Sequence, residues 1–127
     1  MSSKVNIGLD AGSTTVKIVA TDSKNKIIFK AYERHFADIA GTIIAAFEKL
    51  QKEIGDVPVH LSITGSAGMG VAERCGIPFV QEVVASCEVI ASQFPSTKTL
   101  VDIGGEDAKM IFFSDNKSPD MRMNGNC

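Results

Sequence analysis

Residues 8–17 read GLDAGSTTVK and residues 102–109 read DIGGEDAK. Each contains Asp-x-Gly, then four residues, then Lys: Asp10, Gly12 and Lys17 in the first, Asp102, Gly104 and Lys109 in the second. Both stretches lie between apolar, β-branched runs, so each reads as strand, tight turn, strand. A single Asp-x-Gly turn is an ordinary hairpin connector. Two copies with matched Lys spacing favour a shared chemical purpose.

The chemistry that fits is phosphate and metal binding. A strand that delivers an Asp and then a Gly-rich turn offers backbone N–H groups at close range and a carboxylate for Mg²⁺ or its waters. Ser13, Thr14 and Thr15 add hydroxyls to the first turn, and Lys17 adds a cation. Gly105 and Glu106 extend the second. Two such turns can grip one polyphosphate from both sides. Neither is a Walker A loop, which needs Gly-x-x-x-x-Gly-Lys-Ser/Thr, and no Gly-x-Gly-x-x-Gly follows the first strand.

Working outward, Val5, Ile7 and Leu9 alternate with more polar residues as a strand ending at Asp10. TVKIVAT (15–21) and KIIFKAY (26–32) continue as two further strands around the turn DSKNK (22–26), giving a three-stranded antiparallel meander. Asp38 is an N-cap for a helix carrying Ile39, Ile43, Phe47, Leu50 and Ile54, closed by Gly55. VPVHLSIT (57–64) alternates as a strand, GSAGMG (65–70) is a glycine-rich loop, and a short helix runs from Val71 to Cys75. A second helix carries Val83, Cys87, Ile90 and Phe94 on one face before Pro95. TLVDI (99–103) and KMIFF (109–113) are strands around the second Asp-x-Gly, while MRMNGNC (121–127) shows no clear period. The expected order is β-β-β-α-β-α-β-β, an α/β mixed sheet packed by helices, in one domain over residues 1–127.

Composition narrows the function classes. The chain has 127 residues, 44% hydrophobic and 22% charged, with net charge −2, so it carries no general basic field for nucleic acid or an anionic membrane. No apolar run approaches the roughly 18 residues of a spanning helix, and no charged-then-apolar leader opens the sequence. A cytoplasmic protein is expected. Cys75, Cys87 and Cys127 form no CxxC pair, which argues against a disulfide framework. Cys75 and Cys87 are expected to pack as core thiols, and His35 and His60 to lie at the surface.

IGLDAGSTTVKIV (7–19) and LVDIGGEDAKMI (100–111) resemble the two phosphate loops of the actin, sugar-kinase and heat-shock-chaperone ATPase superfamily. With ITGSAGMGVAERCGIPFVQEV (63–83) and MNGNC (123–127), they resemble more narrowly the activators of 2-hydroxyacyl-CoA dehydratases and benzoyl-CoA reductases. The resemblance implies a ribonuclease-H-like, actin-like ATPase fold. It implies ATP or ADP with Mg²⁺, a homodimer bridged by a 4Fe–4S cluster, and ATP-driven electron delivery to a CoA-thioester dehydratase or reductase. By the same resemblance, Asp10 and Asp102 are catalytic and organise Mg²⁺ through its waters. Gly12, Ser13, Thr14, Thr15 and Lys17 hold phosphates, Gly104, Gly105 and Glu106 form the facing loop, and Cys127 is a cluster ligand.

Family members carry two cluster cysteines per subunit and continue past NGNC into a second half, so the sequence is read as the N-terminal part of a longer activator. Ser86 and Cys87 stand where simpler members have a His, which fits a divergent branch. A small-molecule kinase of the N-acetylhexosamine type is the alternative reading. A non-catalytic actin-like assembly module is a third.

Overall fold

The computed structural model describes residues 4–104 and 107–125. Its first strands follow directly from the alternation in the sequence. In β1 (Val5–Ala11), Val5, Ile7, Leu9 and Ala11 are buried, while Asn6 and Gly8 are exposed. β2 (Thr15–Thr21) pairs antiparallel with β1, setting Ile18 opposite Leu9 and Val16 opposite Ala11. β3 (Ile27–Arg34) extends the meander antiparallel to β2. In the connecting turn the Asp22 carboxylate accepts from the N–H groups of Lys24 and Lys26, each at 2.9 Å.

Helix α1 (Ile39–Ile54) starts where its cap dictates: Asp38 Oδ1 accepts from the Gly41 N–H at 3.0 Å. Gly55, at φ 76°, turns the chain out of the helix in a conformation that favours glycine. Ala46 and Leu50 are fully buried against the sheet, and Ile39, Ile43, Phe47 and Ile54 pack around them, as the spacing predicts. β4 (Val59–Thr64) then returns parallel to β1, with Ile63 beside Leu9. The sheet is therefore mixed, in the order β3-β2-β1-β4. Leu9, Ile18 and Ile63 form a row through the core, each at most 1% exposed.

Helix α2 (Gly68–Cys75) starts three residues earlier than the apolar pattern indicates, inside the glycine-rich segment. α3 (Glu82–Gln93), β5 (Thr99–Ile103), β6 (Asp107–Phe112) and β7 (Asp120–Gly125) follow. The last three strands make a separate antiparallel sheet in the order β5-β6-β7. The chain divides into two compact units between Gln81 and Glu82.

The α/β class with a mixed sheet, the meander and the strands flanking the second Asp-x-Gly are as expected. The expected order needs two additions: α2 and α3 are two helices where the order wrote one, and β7 follows β6. β7 forms because β6 offers it a full ladder from Asp107↔Gly125 to Phe112↔Asp120, a pairing that no local period announces. Two side-chain expectations also change. Cys75 is exposed, and Cys87 is half-buried in an open groove with Val83, Ala91 and Phe113. His35 is buried, at 6% exposure. Among the described residues, no helix is long and apolar enough to cross a membrane.

Candidate functional site

The repeated pattern folds the same way twice. Asp10 is the register partner of Lys17 across β1 and β2, and Asp102 is the register partner of Lys109 across β5 and β6. Each turn is closed by the same backbone bond, from the Gly12 N–H to the Thr15 carbonyl at 2.9 Å and from the Gly104 N–H to the Asp107 carbonyl at 2.8 Å. The spacing Asp-x-Gly-x₄-Lys is thus a hairpin rule: it places the carboxylate and the ammonium directly across the ladder at the mouth of a glycine turn. Paired residues project on the same face, and in the first hairpin the two charges form an ion pair.

In the first hairpin, Lys17 Nζ lies 3.5 Å from Asp10 Oδ2 and donates to Thr15 Oγ1 at 2.9 Å. The Tyr32 ring centroid is 5.7 Å from the same nitrogen. Asp10 and Lys17 are both partly accessible, with side chains 37% and 27% exposed. The couple is held yet reachable. Gly12 stands against the lysine, since an added Cβ would lie 3.3 Å from Lys17 Nζ. Ser13 is exposed at the tip and Thr15 is buried beneath it.

Two other segments brace this hairpin. The buried His35 ring touches it from the end of β3: Nε2 lies 3.0 Å from the Gly12 carbonyl, and Nδ1 accepts from the Ala37 N–H at 3.1 Å. Because Nδ1 accepts a hydrogen bond from Ala37, the tautomer that satisfies both contacts carries its hydrogen on Nε2, which donates to the Gly12 carbonyl. The His35 N–H also donates to the Thr14 carbonyl at 3.1 Å. Phe36 and Ala37, at φ 46° and 66°, take left-handed conformations uncommon for non-glycine residues to complete this turn. From the other side, the loop after β4 bonds to the end of β1 through the Ala67 N–H to the Ala11 carbonyl at 2.8 Å. The sequence gives no signal for His35, a lone histidine after a strand.

In the second hairpin the lysine is committed differently. Lys109 is 8% exposed and donates to Glu82 Oε2 at 2.6 Å, with Asp107 Oδ2 at 3.8 Å. Burial opposes its charge, but the Glu82 hydrogen bond and the charges of Glu82, Asp107 and Asp102 outweigh it, so its pKa is raised above 10.5. Asp102 is half-buried at the end of β5. Gly105, Glu106 and Cys127 lie outside the described residues.

The first hairpin fits a hydrated Mg²⁺: its donors are carboxylate and hydroxyl oxygens. Among the described residues no cluster of three or more His, Cys, Asp or Glu could hold a metal. The iron–sulfur expectation rests on Cys127, which lies outside the described residues; within them, Cys75 is an exposed free thiol and Cys87 a half-buried one.

No family model matches the chain. It is 26% identical over 123 residues to the (R)-2-hydroxyglutaryl-CoA dehydratase activating ATPase of Acidaminococcus fermentans, covering 95% of this chain and 47% of that protein. The activator of the 2-hydroxyisocaproyl-CoA dehydratase from Clostridium difficile, solved with bound ADPNP, superposes with a TM-score of 0.76 at 23% identity, over 97% of this chain and 46% of that one. Component A of the Acidaminococcus fermentans (R)-2-hydroxyglutaryl-CoA dehydratase gives 0.70 at 22% identity, over 97% and 48%. The chain spans about half the length of these proteins. Its fold is that of actin-like ATPase domains, and its sequence is similar to one activating ATPase of a CoA dehydratase.

Proposed function

We propose that this chain is the N-terminal, phosphate-binding part of an ATP-dependent activator of a CoA-thioester dehydratase or reductase, working in the cytoplasm. The observation that carries the reading is the doubled hairpin, with Asp opposite Lys at a glycine turn both times. Similarity to an activating ATPase supports the dehydratase as partner.

Asp10 would orient Mg²⁺ through its waters, a role for which its accessible carboxylate is suited. Gly12, Ser13, Thr14 and Thr15 would present backbone N–H groups and hydroxyls to the β- and γ-phosphates. Lys17, already charge-paired, would exchange part of its contact with Asp10 for a phosphate oxygen. Asp102, Gly104, Gly105 and Glu106 are proposed for the same ligand on the strength of the repeated motif. Bound Mg²⁺ would neutralise developing phosphate charge.

The finer part of the reading is that the complete protein is a homodimer that passes one electron to its partner enzyme from a bridging 4Fe–4S cluster, with Cys127 supplying a thiolate. It rests on the motif ending in Cys127.

Nucleotide titration of the full-length protein tests the phosphate assignment. Wild type should bind ATP in a Mg²⁺-dependent way, and Asp10→Asn should lose most of that dependence, weakening Mg·ATP about tenfold or more. Undiminished Mg·ATP affinity in Asp10→Asn and in Asp102→Asn would refute it. Anaerobic purification and visible absorption test the cluster separately, since a kinase of the same fold would be colourless.

A further inference from the structure

The residues that face Asp10 from β4 have no place in the phosphate-loop motif, yet the fold sets them against its carboxylate. Thr64 is the parallel register partner of Asp10, so its side chain projects on the same face of the sheet. With Tyr32 opposite Lys17 and Lys17 opposite Asp10, a polar row of Tyr32, Lys17, Asp10 and Thr64 crosses all four strands, on the face opposite Leu9, Ile18 and Ile63. Thr64 Oγ1 is shut off from solvent and has no hydrogen-bond partner among the described residues. A hydroxyl so placed is a donor without an acceptor, which is costly unless another state supplies one.

Gly65 follows at φ 101°, where a side chain is strained. Space forbids one as well: an added Cβ would lie 2.5 Å from Asp10 Oδ1 and collide with the Ala11 carbonyl oxygen. The Asp10 carboxylate therefore sits in a cradle made by the absence of a side chain at residue 65.

We infer that Thr64 and Gly65 are positioning residues for Asp10: Gly65 leaves the space in which the carboxylate is seated, and the Thr64 hydroxyl donates to the carboxylate group when it holds a hydrated divalent cation. This rests on the proposal that Asp10 orients the cation of a bound metal–nucleotide. It assigns the glycine-rich loop after β4 to the metal side of the site.

The test uses the full-length protein with Mn²⁺·ATP and metal-free ATP as probes, affinities by calorimetry and the bound Mn²⁺ by electron paramagnetic resonance. Thr64→Val should weaken Mn²⁺·ATP about tenfold while changing metal-free ATP less than about twofold, and Thr64→Ser should restore wild-type affinity. Gly65→Ala should alter the Mn²⁺ spectrum. If Gly65→Ala does not fold, the Thr64→Val and Thr64→Ser pair decides. Thr64→Val that binds Mn²⁺·ATP as wild type does, or that weakens both probes equally, overturns the inference. Asp10→Asn separates this from failure of the underlying reading. Lost metal dependence in that variant leaves the reading standing whatever Thr64 does, and wild-type metal dependence removes both.

Discussion

The imidazole of His35 and the carbonyl of Gly12 are joined across 23 positions of sequence by a 3.0 Å hydrogen bond, which ties the turn between β1 and β2 to the end of β3. The ring has one protonation pattern that satisfies both of its contacts. His35→Ala should free the Gly12 carbonyl and the Ala37 N–H together, destabilising the protein by about 1–3 kcal/mol. Amide exchange at Gly12 should quicken more than exchange in α1. Equal protection in both proteins would remove His35 from the bracing of this loop.

The Lys109–Glu82 pair gives a pH prediction. Lys109 titrates above 10.5 in the folded chain, so its stabilising contribution is complete below its ordinary value and is lost as the pH rises through the folded value. Lys109→Met should cost roughly 1–3 kcal/mol at neutral pH, because it strands a half-buried carboxylate. In urea unfolding, the gap between wild type and variant should stay level through neutral pH and narrow only above pH ~10.5. A gap that widens with alkalinity would contradict the assigned direction.

Helix α1 rests on its cap. Asp38→Ala removes the acceptor for the Gly41 N–H and should lower stability by about 1 kcal/mol. Gly41→Ala should cost at least as much, since a Cβ there would strike the Asp38 carboxylate. Thermal unfolding of the two single variants and the double variant checks this; the double should be less than additive, because both lose the same bond.

The nucleotide and cluster sites proposed above use different chemistry and should fail separately. In the full-length protein, Cys127→Ser should lose bound iron yet keep Mg·ATP affinity within about twofold, and Asp10→Asn should do the reverse. Iron content and nucleotide affinity, measured on both variants, are the readouts. A full complement of iron in Cys127→Ser would remove that residue from the cluster.

What the sequence made legible is what short-range physics decides. Alternation of Val5, Ile7 and Leu9 located β1, and Asp38 with Gly55 located both ends of α1, because caps and periods act within a turn or two. The matched Asp, Gly and Lys spacing marks both hairpins, because a ladder pairs residues at fixed distances from its turn. The parts that were not legible depend on distant partners. β7 owes its existence to β6, since Met121 and Met123 alone make a weak strand pattern. His35 is buried by a loop 23 positions away. Nothing local marks Gly65, whose need for a bare Cα comes from the Asp10 carboxylate and the Ala11 carbonyl packed against it.

The parallel pairing of β1 with β4 has a kinetic consequence. β1, β2 and β3 are joined by short turns and can zip together locally, but β4 reaches β1 only after α1 has been spanned, so its docking closes a much longer loop and comes later. The Asp-x-Gly hairpin can therefore be complete while Thr64 and Gly65 are still absent from it. A ligand that needs the seated carboxylate binds only chains in which β4 has arrived, and so stabilises the assembled sheet over the open hairpin by mass action.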